Sequence, residues 1–391
     1  MAFKGRMRRL IKRRSFWEKY FRRLWRRYGY RAMVVCVSLN AWGMTSFFLQ
    51  PAPRPYSSEG ETISAHTGNS VQRSPAQSIP NQKFCDDLYA SVCRKKGVTR
   101  DPTGVVYRDI DGELMALRKY EDIIRKHPDW SPEQVDDELA KQLYTKKRTD
   151  RFRATFDWVK TTLEALIREE PENLFSDSDK KLIIERIHSV ELQFPPPASI
   201  YDDEPDLFTK MDVYFERTES AKLRMRVGGA FIMAVRSWFN LVFTITHELG
   251  HSIDPCELKN LGWSFPAYNR LTQCFVDQKI SRPNGNCESD DQLSETFADW
   301  IAVQVTAKAL AKYAQEFDPA QIRAAAINSV RDLCEDEGDS LHDADTSAHP
   351  DPVQRIRKIF GNHPQIRRLL GCPAEDVSLE PHCHWNGSLP L

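Results

Sequence analysis

The residues best suited to chemistry lie in Thr246-His247-Glu248-Leu249-Gly250-His251 and, further along, in Glu295-Thr296-Phe297-Ala298-Asp299. The first stretch reads H-E-x-x-H. On a helix, His247 and His251 are four apart and project from one face, so two imidazoles can share one zinc ion. Glu248 then stands beside the metal as general base. Zinc needs a third protein ligand, and Glu295 is the best candidate, because it opens an E-x-x-x-D in which Asp299 lies one helical turn on. Two imidazoles, one carboxylate and an open fourth position are what a hydrolytic zinc site requires. The plainer reading is a charged helix with two satisfied histidines. The flank Asn240-Leu241-Val242-Phe243-Thr244-Ile245 is nearly all apolar and argues against it, because a buried His-Glu-His cluster is costly unless something pairs with it.

Several elements must hold these residues in place. The pattern from Cys85 to Arg168 is helical, with Ser131-Pro132-Glu133 as a helix start and helical spacing of apolar residues over 150–168. Leu182 to Leu192 reads as another helix, stopped by Phe194-Pro195-Pro196-Pro197. Met211 to Glu216 and Leu223 to Phe231 look extended, joined by Arg217-Thr218-Glu219-Ser220. This hairpin either lies along a cleft, where an extended substrate could add to its edge, or is an ordinary core hairpin. Cys256 to Asp291 reads as loop-rich. A long helix over Gln292 to Phe317 carries Glu295 and Asp299, and a further helix covers 319–334.

The formal net charge of zero hides an asymmetry: residues 1–31 hold 13 Lys or Arg and one acid, Glu18, leaving 42 basic and 54 acidic residues in the rest. Ala32 to Leu49 is uncharged and mostly apolar, near the minimum length for a membrane span. Arginines before it predict a cytoplasmic N-terminus. The expected organisation is a basic cytoplasmic tail at 1–31, a transmembrane signal-anchor or a signal peptide at 32–50, a flexible linker at 51–84 rich in Pro, Ser, Gln and Gly, and a zinc metallopeptidase domain at 85–391. This predicts a single-pass membrane protein with its body on the periplasmic or extracellular side, or a secreted one after signal cleavage. Cys36 lies in the apolar run and the other eight cysteines beyond it. An even number suits an oxidising compartment, but eight cysteines allow 105 pairings.

Four separated regions resemble the neprilysin and endothelin-converting-enzyme family of membrane-anchored zinc peptidases. Cys85-Asp86-Asp87-Leu88-Tyr89-Ala90-Ser91-Val92-Cys93 resembles the C-D-D-F-Y-x-x-x-C that opens the family's extracellular part. Residues 246–254, THELGHSID, resemble its H-E-x-T-H-x-x-D, and 295–300, ETFADW, its E-N-x-A-D. His349-Pro350, Arg355, Asn362, Cys372 and Cys383 through Trp385 follow the order of its C-terminal tail. The interval from Cys93 to the hairpin shows no likeness and is far shorter than the family's, so the helical domain that roofs the family's active site is mostly missing. The N-A-x-Y and P-A-G-I segments fall near Asp212-Val213-Tyr214-Phe215 and Gly228-Gly229-Ala230-Phe231 and do not match. The prenyl-protein and heat-shock zinc proteases share HELGH and an E-x-x-x-D helix, but have several spans and lack this cysteine pattern.

The resemblance implies a mainly α fold with a small β-hairpin or sheet beside the active-site helix, a gluzincin (thermolysin-like) catalytic core stapled by disulfides, and one Zn2+ per chain held by His247, His251 and Glu295. Glu248 is the expected base, Asp299 and Asp254 the partners that orient His247 and His251. His349 is expected to stabilise the oxyanion and Arg355 to hold the substrate carbonyl. Implied disulfides are Cys85–Cys372, Cys93–Cys334 and Cys274–Cys383, with Cys256 and Cys287 left over. His342, His363, His382 and His384 read as surface or structural, and Asn386-Gly387-Ser388 as a glycosylation acceptor. The expected partner is a peptide or protein substrate, with no nucleic acid and the oligomeric state open. The expected function is zinc-dependent endopeptidase or oligopeptidase. Its rival, motivated by the altered substrate strand and the lost roof, is an inactive or partner-dependent membrane-tethered relative that binds peptides or proteins.

Overall fold

Three helices and one strand pack directly on the helix that carries H-E-x-x-H. The computed structural model describes residues 84–94 except 86, 101–103, 112–194, 211–281 except 219 and 235, 292–334, 349–372 and 382–389 except 386. All fall in the unit Ser78–Leu391. The predicted basic tail, the apolar run and 51–83 of the predicted linker lie outside the described residues.

The chain runs through α1 (Gly112–Lys126), α2 (Pro132–Leu143), α3 (Lys146–Glu169) and α4 (Asp177–Ser189) before the first strand. Ser131 and Gln134 close a reciprocal capping box at the start of α2, as its sequence predicts. Three short strands follow, β1 (Glu191–Gln193), β2 (Val213–Arg217) and β3 (Leu223–Val227), in the order β1-β3-β2. The β2–β3 pair is the expected hairpin, with Phe215 opposite Met225, and β1 runs parallel to β3. The remaining α-helices of five residues or more are α5 (Gly229–Met233), α6 (Trp238–Gly250), α7 (Pro255–Asn260), α8 (Pro266–Asp277), α9 (Gln292–Tyr313), α10 (Pro319–Ser329) and α11 (Pro364–Leu370). Strands β4 (His382–His384) and β5 (Gly387–Leu389) close the described chain.

In α6 the residues Phe239, Leu241, Val242, Phe243, Ile245 and Leu249 are all buried. A helix apolar on every side has to be covered on every side, and α3, α9 and α10 together with β2 cover it. The contact with α9 is the closest. A Cβ placed on Gly250 would meet Ile301 Cγ2 at 2.7 Å and Ala298 Cα at 3.1 Å. Glycine at this position of the motif therefore lets the two helices approach, which brings Glu295 and Asp299 up to the histidines. Cystines Cys85–Cys372, Cys93–Cys334 and Cys274–Cys383 tie both ends of the chain to this core. They join residues 287, 241 and 109 apart; in the chain-entropy account each constrains the unfolded chain by up to about 5 kcal/mol, not additively. Cys256 is also disulfide-bonded, and Cys287 and Asn386 lie outside the described residues.

Four expectations are corrected. Cys256 to Asp291 is not loop-rich where it is described: Pro255 and Pro266 stand at the first turns of α7 and α8, where the missing N–H costs nothing. The second extended segment stops at Val227, and Gly229–Met233 is helical. Helix α4 ends at Ser189, and Glu191–Gln193 leaves it to pair with β3. The single-pass membrane protein is the fourth: no helix among the described residues is long and apolar enough to cross a membrane. The apolar α6 has 13 residues, about 20 Å of rise against a hydrocarbon core of about 30 Å. The longer α9 carries Glu295, Asp299, Lys308 and Lys312.

Candidate metal centre

The motif helix ends at the site. Helix α6 stops at Gly250, and His251–Ile253 continues as one turn of tighter helix before Asp254 caps α7. His247 is buried and His251 half-buried, with ring centroids 5.0 Å apart. From α9, Glu295 lies between them: its Oε2 is 3.1 Å from His247 Nε2 and its Oε1 3.6 Å from His251 Nε2. Both histidines therefore approach the Glu295 carboxylate, each on a different oxygen.

His349 joins them. Its Nε2 is 3.0 Å from Glu295 Oε2, although the side chain is 49% exposed. Ligand atoms of His247, Glu295 and His349 all lie within 4.8 Å of one another, the one group among the described residues that meets this condition for a metal ion. Two ring nitrogens flank Glu295 Oε2, yet this buried oxygen has no aligned hydrogen-bond partner among the described residues. Nitrogens that crowd a carboxylate oxygen without directing an N–H at it fit a shared cation better than a hydrogen-bond network. The donor set, imidazole nitrogen with carboxylate oxygen, fits a divalent transition metal.

Asp299, one turn beyond Glu295, accepts from His247 Nδ1 at 2.9 Å, the contact predicted for it. With that proton fixed at Nδ1, a neutral His247 would offer its Nε2 lone pair to a metal beside Glu295. Arg355, at the start of the helical segment Arg355–Phe360, makes a contact that the sequence did not predict. Its guanidinium grips Asp299 through Nε to Oδ2 at 2.5 Å and Nη2 to Oδ1 at 2.8 Å. In this structure Arg355 positions Asp299, and through it His247.

Asp254 does two things. Its Oδ1 accepts the Cys256 and Glu257 N–H groups at 2.7 Å each, as the cap of α7. Its Oδ2 is 3.6 Å from His251 Nδ1, beyond a direct hydrogen bond, and accepts instead from Ser294 Oγ at 2.6 Å. Glu248, on the same helix, accepts the main-chain N–H of Phe215 at 2.8 Å through Oε2. Sequence reasoning missed Ser294 and the Phe215 amide. Ser294 had one available signal, its place directly before Glu295; the amide had none.

The electrostatics follow from burial set against these pairs. For His247, burial opposes the charged form, but Asp299 and Glu295 outweigh it and raise the imidazole to about 10. His251 is raised as well, burial again opposing and Asp254 favouring the charge. Glu295 resists burial through His247 and His349 and lies far below the usual carboxylate range. Asp299, fully enclosed, is held at about 2 by Arg355 and His247. Glu248 goes the other way: burial pushes its carboxyl up, against the pull of His247, His251 and the Phe215 N–H. A base needs a raised affinity for protons, and a ligand or orienting carboxylate a lowered one. No protein-family model matches this chain, and no curated protein matches it in sequence.

Proposed function

We propose that this chain is a zinc-dependent endopeptidase or oligopeptidase of the neprilysin and endothelin-converting-enzyme type, with a gluzincin-like core built on α6, α9 and the edge strand β2. The observation that carries this reading is Glu295 set against both His247 and His251, one on each carboxylate oxygen, with Asp299 behind His247. Zinc, when bound, would lower the pKa of a water towards ~7 and polarise a carbonyl. Glu248, whose burial raises its proton affinity, accepts the water's proton and returns it to the leaving amine. Asp299 and Arg355 hold His247 in the tautomer that offers Nε2.

The substrate class is an extended peptide. In the β2–β3 register Gly228 N–H bonds Asp212 and Thr218 N–H bonds Lys222, so the even-numbered residues face β3. The main-chain groups of Val213, Phe215 and Arg217 then face outward, beside Glu248. An added strand would take its main-chain hydrogen bonds there. One observation favours a second reading, a peptide-binding protein without cleavage: the Phe215 N–H already occupies one oxygen of the proposed base.

The test is cleavage of a diverse peptide mixture by the full chain, disulfides formed and zinc supplied, with products read by mass spectrometry. Glu248→Gln is the control that should keep the metal. Cleavage by the parent alone is expected. A zinc-loaded parent that binds peptides without cutting them would establish the second reading, and a parent that takes no zinc would end the first.

A further inference from the structure

We infer that Ser294 is the residue that orients His251 towards the metal, standing between His251 and Asp254 as a hydrogen-bond relay; this rests on the zinc reading above. Among the described residues the geometry gives the histidine no other hydrogen-bond partner at Nδ1. Asp254 cannot swing towards it, because its Oδ1 is fixed by two N–H groups of α7 at 2.7 Å, and its Oδ2 stays 3.6 Å away. Ser294 Oγ fills that gap, 3.1 Å from His251 Nδ1 and 2.6 Å from Asp254 Oδ2.

The direction of the protons is determined. Asp254 Oδ2 can only accept, so the single hydroxyl hydrogen of Ser294 goes to it. Ser294 Oγ then has only lone pairs for His251, which must carry its proton on Nδ1. In the neutral ring that metal binding requires, Nε2 then offers its lone pair on the side where Glu295 Oε1 lies at 3.6 Å. His247 reaches the same state by direct contact with Asp299. The two histidines thus present the same tautomer, one through a carboxylate and the other through a hydroxyl backed by a carboxylate. Such outer partners fix ring orientation and ligand basicity.

Ser294 touches neither substrate nor the reacting atoms; it is a positioning residue, and metal affinity is the readout that a purely structural role would not move. Zinc affinity of the full chain would be measured by competition with a chromogenic chelator, for the parent, Ser294→Ala, Ser294→Thr, Asp254→Asn and the double variant Ser294→Ala/Asp254→Asn. Ser294→Ala should weaken zinc binding on the order of 10-fold, Ser294→Thr should restore it, and the double variant should be no worse than the weaker single one, since both act on one proton. Thermal melting of the metal-free chains, expected to be alike for parent and Ser294→Ala, separates this from misfolding. Equal zinc affinity for parent and Ser294→Ala, or fully additive losses, would overturn the relay while leaving the zinc reading intact. A parent that binds no zinc would overturn both.

Discussion

Two groups of buried histidines share this core and end in opposite states. His247 and His251 face the carboxylates Glu295, Asp299 and, through Ser294, Asp254, and both are pushed towards the charged form. His363 and His382 meet an amide. Gln304 Oε1 is 3.1 Å from His363 Nε2, and Gln304 Nε2 is 3.2 Å from His382 Nε2. Burial pushes His363 well below its usual value and His382 to about 3, and His384 beside them is lowered too. Among the described residues the carboxylate that reaches this group is Glu170, 3.7 Å from His384 Nε2 and itself pushed up by burial to about 7. One helix serves both groups, since α9 supplies Glu295 and Asp299 near its start and Gln304 further on. Burial alone strips charge from histidine; only fixed carboxylates reverse it. Clustered histidines are therefore a weak sign of a metal site, and carboxylates held among them a strong one.

The largest effect should come from neutralising the carboxylate that defines the first group. Asp299→Asn leaves Arg355 buried without its counter-charge and His247 without its acceptor. Removing one partner of a buried ion pair costs about 3–5 kcal/mol, and Glu295 and Glu248, which also favour the Arg355 charge, place the loss near the lower end. Denaturant unfolding of the metal-free chain with its disulfides intact measures this. A loss under about 1 kcal/mol, the range of surface pairs, would mean that water reaches the pair and that the contrast between the two groups is overstated.

How much of this contrast was legible in the sequence depends on the range of each interaction. His247, His251 and Glu248 follow from helical spacing within six residues, and Asp299 from its spacing to Glu295. The three cystines agree with pairings that only the family resemblance supplied, since counting left 105 open. His363, His382 and His384, read as surface or structural, are buried or half-buried. The misreadings have physical causes as well. Pro255 and Pro266 look like loop residues unless the first-turn exception is applied. Glu191–Gln193 is too short for an alternating pattern. The Phe215 N–H is a group every residue but proline has, so no sequence pattern marks its bond to Glu248. Ser294 depends on where α6 and α9 meet, and the placement of His349 on Glu295 on how the segment 349–360 packs against α9, which no local spacing encodes.

The second group can be tested by acid. His382 has a folded pKa of about 3, below its ordinary 6.5. Between those values the unfolded chain binds the proton and the folded chain does not, so stability is present above pH 6.5 and is lost as pH falls towards 3. One such histidine removes up to about 1.4 kcal/mol per pH unit, or about 2 kcal/mol between pH 6.5 and 5. Glu170 opposes this. Its raised folded value makes its contribution full below 4.5 and lost as pH rises through about 7. Comparing the parent with His382→Asn isolates the histidine, because Glu170, His363 and His384 remain in both. Unfolding free energies at pH 6.5 and 5 should fall by about 2 kcal/mol more in the parent. Parallel slopes would show that His382 takes up its proton without leaving the fold.

A smaller change should convert one group into the other. Gln304→Glu places a carboxylate where the amide stands, between His363 and His382, at nearly constant shape. An opposite charge at hydrogen-bond distance favours the charged imidazole by about 1–3 pKa units, so ring titration by NMR should show His363 or His382 moving up by that amount. The acid loss predicted for His382 should shrink in the same variant, because a histidine that is already charged when folded costs nothing to protonate. Zinc affinity at His247 and Glu295 should stay unchanged, since Gln304 shares no partner with them. If both histidines stay low beside a carboxylate, depth of burial rather than the neighbour's charge separates the two groups. The raised state of His247 would then owe more to Arg355 holding Asp299 ionised than to the carboxylate's mere presence.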